Sequence, residues 1–385
     1  MNELQRILQA FEQIQNNGKR AVLATVVRTS GSVYRRPGAR MLLTEDGEMT
    51  SAISGSCLEA DILERSRSLF STDSDPILVR YDTTSNDDIL FGFGLGCNGI
   101  VDVLLESLKG AVISQMLFVE DCLMMQQMGA IATIFSIDNV PDVKVGDRLM
   151  MKFNAPVINQ ITNLDVTQRI ATDVQKSLIE QQSCVQSYAL STGRIDVLIE
   201  VIHPPVPLLI FGAGYDAIPV VQFAKQLGWH VTVIDHRPEQ LTRDRFPLAD
   251  QLLYCIPDPP NAYHHLLTPQ TIAIVMTHRY LTDLAFLKTL IPAQLRYLGI
   301  LGPKRRMQKL WEDLAEHGVN PSSEHMQQLY NPIGLDIGAE TPEEIALSIV
   351  AEIQAVLSER SGRHLRDRVG SIHSSPELPC LELVS

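Results

Sequence analysis

Two cysteines sit where a thiol could act as a ligand. Cys57 lies in Ser54-Gly-Ser-Cys57-Leu-Glu59, where a glycine turn leads into a helical pattern. A thiol in the first turn of a helix faces the positive end of the dipole, which lowers its pKa and favours the thiolate. Cys97 lies in Gly94-Leu-Gly96-Cys97-Asn98-Gly99. Glycines on both sides expose backbone N–H groups and give the thiol little cover, and such a loop can wrap an anion or a soft ligand. The competing reading of both is burial as small apolar side chains, the commonest fate of a free cysteine. Cys122, Cys184 and Cys255 stand in apolar periodic segments and read as core, and Cys380 lies near the C-terminus.

A second constellation lies in the other half of the chain. The apolar run Leu208–Phe211 enters Gly212-Ala-Gly214-Tyr-Asp-Ala217, a helical pattern leaves it (Ile218, Val221, Ala224, Leu227), and Val231–Ile234 ends on Asp235. This is a β-α-β unit with a G-x-G-x-x-A turn. Gly212 permits the tight turn, Gly214 lets a pyrophosphate approach the backbone, and the helix N-terminus offers N–H groups to phosphate. Asp235 stands at the distance expected of a carboxylate that accepts ribose hydroxyls, which favours NAD over NADP, with Arg237 two residues on as the counter-argument. A fold that keeps the turn for packing alone is the other reading.

Three more groups could serve a site. His278, in Thr277-His278-Arg279, follows a strand-like run; a strand-end histidine is as often a capping hydrogen-bonder. Lys304-Arg305-Arg306 opens a helix after Gly302-Pro303, where dipole and side-chain charge both favour an anion. Arg35, Arg36 and Arg40 flank Pro37-Gly38 and form either an anion site or a solvated turn. The sequence has neither a C-x-x-C pair nor H-E-x-x-H, which argues against a structural zinc.

These groups need elements to hold them. The C-terminal half alternates strands (Leu208–Phe211, Val231–Ile234, Gln251–Cys255, Ile272–Met276, Tyr297–Leu301) with helical patterns. That alternation predicts a parallel sheet with helices on both faces and ligands beyond the carboxyl ends of the strands, Asp258 included. Thr341-Pro342-Glu343-Glu344 predicts a capped helix running to about Leu357. The N-terminal half reads as a helix to Ile14, a long β run Ala21–Arg28, a loop Thr29–Gly38, short strands near Met41–Leu43 and Met49–Ile53, and a β run Ile100–Glu106. His203-Pro-Pro-Val-Pro207 separates the halves, since prolines continue neither helix nor ladder. The fold class is therefore α/β: an N-terminal α+β domain (1–203), a C-terminal Rossmann-like parallel-sheet domain (208–357) and a flexible tail (358–385). The chain reads as free of internal repeats.

The 385 residues carry a net charge of −13, which argues against non-specific binding to nucleic acid or an anionic membrane. The first residues read as an amphipathic helix rather than a signal peptide, and six cysteines in so long a chain read as reduced thiols of a cytoplasmic protein.

Three blocks resemble the XdhC/CoxI family, the maturation factors of xanthine dehydrogenase and carbon monoxide dehydrogenase. They are Gly31–Leu42 with Ser54–Glu59, Gly94–Glu106, and the C-terminal domain from Gly212-Ala-Gly214 through Pro332–Pro342. The resemblance implies a chaperone that binds molybdenum cofactor, protects it while a cysteine desulfurase supplies the terminal sulfur, and delivers it to an apo-molybdoenzyme of the xanthine dehydrogenase type. It places Cys97 at the family's cofactor-holding cysteine, where a thiolate is a soft ligand for molybdenum and neighbouring glycines leave room for a pterin. The family's Cys-Gly-Gly is Cys97-Asn98-Gly99 here, and its Gly-Ala-Gly-His is Gly212-Ala-Gly214-Tyr215. The competing function is an NAD-dependent oxidoreductase. It needs a proton donor beside the nicotinamide, and the N-terminal sequence offers no clear one. Whether the chain forms a homodimer stays open at this level.

Overall fold

The computed structural model describes residues 3–55, 58–70, 74–82, 98–257 and 262–369. They form two compact units, Met1–Pro205 and Val206–Ser385.

The first unit opens with α1 (Glu3–Asn17), which buries Ile7, Phe11 and Ile14 along one stripe. It continues with β1 (Ala21–Ser32), β2 (Arg40–Thr44), β3 (Met49–Thr50), α2 (Glu59–Ser66), β4 (Ile77–Asp82) and β5 (Asn98–Ser107). The same order then recurs: α3 (Ala111–Met124), β6 (Gly129–Asp138), β7 (Arg148–Lys152), β8 (Ile158–Asn159), α4 (Leu164–Glu180), β9 (Cys184–Ala189) and β10 (Arg194–Ile202). The two antiparallel sheets have matching strand orders, β3-β2-β1-β5-β4 and β8-β7-β6-β10-β9. The unit is thus an internal duplication, contrary to the repeat-free reading of the sequence. Two sequence signals mark it. Ala24-Thr25, Gly38 and Arg40 return as Ala132-Thr133, Gly146 and Arg148, and Gly99-Ile-Val-Asp102-Val-Leu-Leu-Glu106 returns as Gly193-Arg-Ile-Asp196-Val-Leu-Ile-Glu200.

The correspondence extends to single contacts. Thr25 pairs with Arg40 as Thr133 pairs with Arg148. The Tyr81 hydroxyl donates to Asp61 at 2.7 Å, and the Tyr188 hydroxyl donates to Asp173 at 2.7 Å. Val27, Leu104, Phe135 and Leu198 meet between the two sheets. α2 packs on one sheet and α4 on the other. The charged pairs at the centre are exchanged between repeats. Arg40 forks onto Glu200 of the second repeat, and Arg148 reaches Glu106 of the first while donating to Gln115 at 2.8 Å. Both arginines are buried. Gly38 and Gly146 leave room for these carboxylates: a Cβ would stand 3.1 Å from Glu200 Oε1 in one case and 2.9 Å from Glu106 Oε1 in the other.

The second unit carries a six-stranded parallel sheet. Its strands are β11 (Pro207–Phe211), β12 (His230–Asp235), β13 (Gln251–Tyr254), β14 (Ile272–Val275), β15 (Tyr297–Ile300) and β16 (Leu329–Tyr330), in the order β13-β12-β11-β14-β15-β16. The helices are α5 (Ala217–Gln226), α6 (Tyr280–Leu290), α7 (Lys304–Glu316), α8 (Ser323–Gln327) and α9 (Pro342–Leu357). This order reverses between β11 and β14, the doubly wound arrangement expected of a dinucleotide-type fold. Alternate strand residues feed two cores. Leu208, Ile210, Val231 and Ile274 face α5 and α9, whereas Leu209, Phe211, Ile234 and Val275 face α6 and α7. α9 begins as the sequence predicts, with the Thr341 side chain accepting from Glu344 N–H and Glu344 accepting from Thr341 N–H.

Two local expectations need correction. β1 continues to Ser32, so the segment read as a loop from Thr29 is partly strand, carried past a bulge at Val26/Arg28 by pairing with β5. On α5 the buried face is Ala217, Val220, Val221 and Ala224, and Leu227 is exposed, because the chain turns at Gly228 and Trp229 fills the apolar position instead. No helix among the described residues is long and apolar enough to cross a membrane.

Candidate functional site

In the second unit, Gly212, Gly214, Asp235 and His278 all lie at the carboxyl edge of the sheet, beside the strand-order reversal. Gly212 adopts φ 126°, and a Cβ there would lie 2.5 Å from the Met276 carbonyl oxygen. Its first job is the close approach of β11 to β14. Its N–H is already donated to Ile234 O at 2.8 Å.

Asp235 corrects the expectation of an open ribose acceptor. The residue is 0% exposed. Oδ2 accepts from Ala213 N–H and from Arg237 Nη2, each at 2.7 Å, and Oδ1 accepts from Arg237 N–H and Nε at 2.9 Å. Burial alone would raise this carboxyl. Hydrogen bonds from Arg237 and Ala213, with the guanidinium charge, outweigh burial and hold it below the ordinary carboxylate range. The carboxylate is a strut that fixes the glycine turn to the end of β12.

Asp216, which sequence spacing did not single out, lies at the centre of this edge. It precedes α5, and its Oδ2 is 2.6 Å from His278 Nε2. His278 holds a left-handed backbone with φ 59°, uncommon for a residue with a Cβ. Tyr215 is exposed, with the Arg245 guanidinium 5.1 Å from its ring centroid. Arg305 stands one strand further along, exposed in the first turn of α7 after β15. Its neighbour Arg306 is committed to Asp283 at 2.6 Å.

Of the residues singled out in the first unit, Cys57, Cys97 and Gly96 lie outside the described residues, as does Asp258 in the second. The residues that flank the two cysteine segments are described. Gly99 pairs with Gly31 and Asn98 with Ser32 at the far end of the β1–β5 ladder. Glu59 draws together the residues on either side of positions 56–57, because its carboxylate accepts from Ser54 N–H at 2.9 Å and from Leu58 N–H at 3.1 Å. Burial would raise the Glu59 carboxyl, but the Ser54 hydroxyl and these N–H groups hold it below its ordinary value. The Tyr81–Asp61 bond ties β4, near its end at Asp82, to the start of α2. The described flanks of both cysteine segments therefore converge on one end of this sheet.

The remaining basic trio is not an open anion site. Arg40 is buried against Glu200, and Arg35 is paired with Glu3. Cys122 is fully buried, and burial pushes its thiol up to about 11, so it is inert at neutral pH. Cys255 is buried and Cys184 half-buried. Among the described residues, no three His, Cys, Asp or Glu side chains group as a metal site.

The sequence matches two family descriptions, the XdhC and CoxI family over residues 14–82 and the XdhC Rossmann domain over residues 208–353. It is 32% identical over 359 residues to a protein of Bacillus subtilis (strain 168) described as a probable xanthine dehydrogenase subunit, covering 89% of this chain and 95% of that protein. The chain belongs to the XdhC and CoxI family. A second relative, the molybdenum cofactor insertion chaperone PaoD of Escherichia coli (strain K12), is 24% identical over 345 residues, covering 88% of this chain and 84% of PaoD. A crystal structure described as a xanthine dehydrogenase from Bacillus halodurans superposes with a TM-score of 0.74 at 29% identity, over 92% of this chain and 96% of that one. The XdhC-type Rossmann unit here thus has the expected architecture, and its Asp235 is engaged within the protein.

Proposed function

We propose that this chain is a maturation factor for a molybdoenzyme of the xanthine dehydrogenase type, which binds molybdenum cofactor and hands it to the apo-enzyme. Family membership and the name of the PaoD relative support this role. One observation carries it to particular residues. The second repeat joins β9 to β10 with Leu190-Ser-Thr-Gly193 alone, whereas the first uses residues 83–97 between β4 and β5. The fold does not require the longer connection, since its own duplicate closes the same strand pair with a short turn. A glycine-rich stretch ending in a cysteine and surplus to the fold reads as functional.

In this reading the Cys97 thiolate is the soft ligand for molybdenum, the surrounding glycines admit the pterin, and Cys57 is the second candidate thiol. A cysteine desulfurase adds the terminal sulfur before the client takes the cofactor. The oxidoreductase reading loses its main support, because Asp235 is already saturated by Arg237 and Ala213.

The test is a titration of the intact protein with molybdenum cofactor, reading retained molybdenum and the absorption of the complex. Cys97→Ser is expected to fold normally and lose most of the bound cofactor, while Cys122→Ser keeps it, since Cys122 is a buried core side chain. Full cofactor retention by Cys97→Ser would remove the named ligand and with it the residue-level reading.

A further inference from the structure

We propose that Asp216 is a built-in substitute for phosphate, latched by His278, which closes the glycine turn of the C-terminal unit to pyrophosphate-bearing ligands. In a dinucleotide-binding turn the pyrophosphate lies against the second glycine and the first turn of the helix, where backbone N–H groups and the dipole favour an anion. Here that anion belongs to the chain. Asp216 is the residue before α5, yet its side chain makes no capping bond to the helix. The carboxylate folds back over Gly214 instead, so closely that a Cβ on Gly214 would collide with Asp216 Oδ1. From there it crosses the strand-order reversal to His278 Nε2 at 2.6 Å. It is a negative charge beside the helix N-terminus, which is the electrostatic role a bound phosphate would fill.

The latch is held from behind. Arg279 N–H donates to Thr277 Oγ1 at 3.2 Å, and Thr277 also bonds the buried Asp283. These bonds flank His278 and keep it in its left-handed conformation, with its ring toward Asp216. On the other side of the turn, Asp235 is engaged by Arg237 and Ala213. The phosphate position is thus filled by an internal carboxylate, and the carboxylate that would accept ribose hydroxyls is buried and saturated by internal donors. An incoming pyrophosphate meets like charge at the first and finds no free acceptor for its ribose at the second. The XdhC-type unit keeps the turn for its packing and excludes the ligand class that the turn ordinarily admits. This holds whichever cofactor the N-terminal unit handles.

The experiment is calorimetric titration of the full-length protein with inorganic pyrophosphate and, separately, with ADP. The wild type, Asp216→Ser, Asp216→Asn and His278→Ala are compared, with melting temperatures confirming that each variant is folded. The wild type is expected to show no binding below millimolar concentration. At least one folded Asp216 variant is expected to bind pyrophosphate at least tenfold more tightly than the wild type. His278→Ala keeps the carboxylate but frees it from its partner, so it is expected to bind pyrophosphate more tightly than the wild type and less tightly than the better Asp216 variant. Micromolar binding of pyrophosphate by the wild type would overturn the proposal, as would Asp216→Ser and Asp216→Asn that fold and bind no better than the wild type.

Discussion

Arg28 is a residue at which the duplicated unit departs from its own symmetry. Its Nε donates to Asp102 Oδ2 and its Nη1 to Asp196 Oδ2, each at 2.7 Å, and its guanidinium lies 5.3 Å from the centre of the Phe135 ring. Asp102 and Asp196 are equivalent positions of the two repeats, and the equivalent of Arg28 itself is Ser136. One cation therefore serves two buried carboxylates. Burial raises the Asp196 carboxyl, yet hydrogen bonds from Ser187 and Arg194 and the charges of Arg194 and Arg28 outweigh it, leaving the pKa below its ordinary value. A depressed carboxyl stabilises the fold above its unfolded pKa, and that stabilisation is lost as pH falls through the folded pKa. Arg28→Met should cost about 2–4 kcal/mol at pH 7, less than for a wholly buried pair. The discount follows because 34% of the Arg28 side chain meets solvent. The deficit should shrink as pH drops through the carboxylate range, where protonation removes the charge that Arg28 had helped to balance. Urea unfolding at pH 7 and pH 4 measures this. A deficit equal at both pH values would show that packing on Phe135, rather than charge, is what Arg28 supplies.

At the scale of elements, the exchanged pairs Arg40–Glu200 and Arg148–Glu106 make each repeat complete the other's buried charge. Removing one partner strands a charge, whereas replacing both with apolar side chains does not. Glu106→Leu alone should therefore cost about 3–5 kcal/mol, and Glu106→Leu with Arg148→Met much less, the difference being read from a double-mutant cycle. Additive effects would mean that the two groups do not act as a pair. The same scale shows what the sequence reveals. The β-α-β alternation after Pro207 marks every strand of the parallel sheet except the short β16: the central strands are written as buried apolar runs, and the edge strand β13 shows through Leu252 and Leu253. The duplication is written far more faintly. Its sheets need only alternating apolar residues, which many sequences supply, so little beyond Gly38, Arg40, Asp102 and Glu106 and their counterparts is held fixed. Spacing also places Asp235 at the right distance from Gly214 without saying which way its carboxylate points. Arg237, two residues on, decides that direction. Spacing does not mark Asp216, because its partner His278 lies sixty-two positions away in sequence.

For the whole molecule, the organisation of the apolar cores sets the expectation. Every core cluster among the described residues draws its members from one unit only: Leu208 to Ile353 in the second, and Ile7 to Ile202 in the first. The first unit also completes its buried ion pairs internally, since Arg40, Glu200, Arg148 and Glu106 all precede Pro205. A segment that supplies its own core and satisfies its own buried charges meets the physical requirements for folding alone. Residues 1–205 and 206–385, expressed separately, should each give a cooperative thermal transition and near-ultraviolet circular dichroism of fixed tertiary packing. The first repeat alone, residues 1–110, should not. It would expose the inter-sheet surface around Val27 and Leu104 and leave Arg40 and Glu106 without Glu200 and Arg148. A cooperative melt from residues 1–110 would show that each repeat is stable without its duplicate, and the exchanged ion pairs would then be dispensable to the fold.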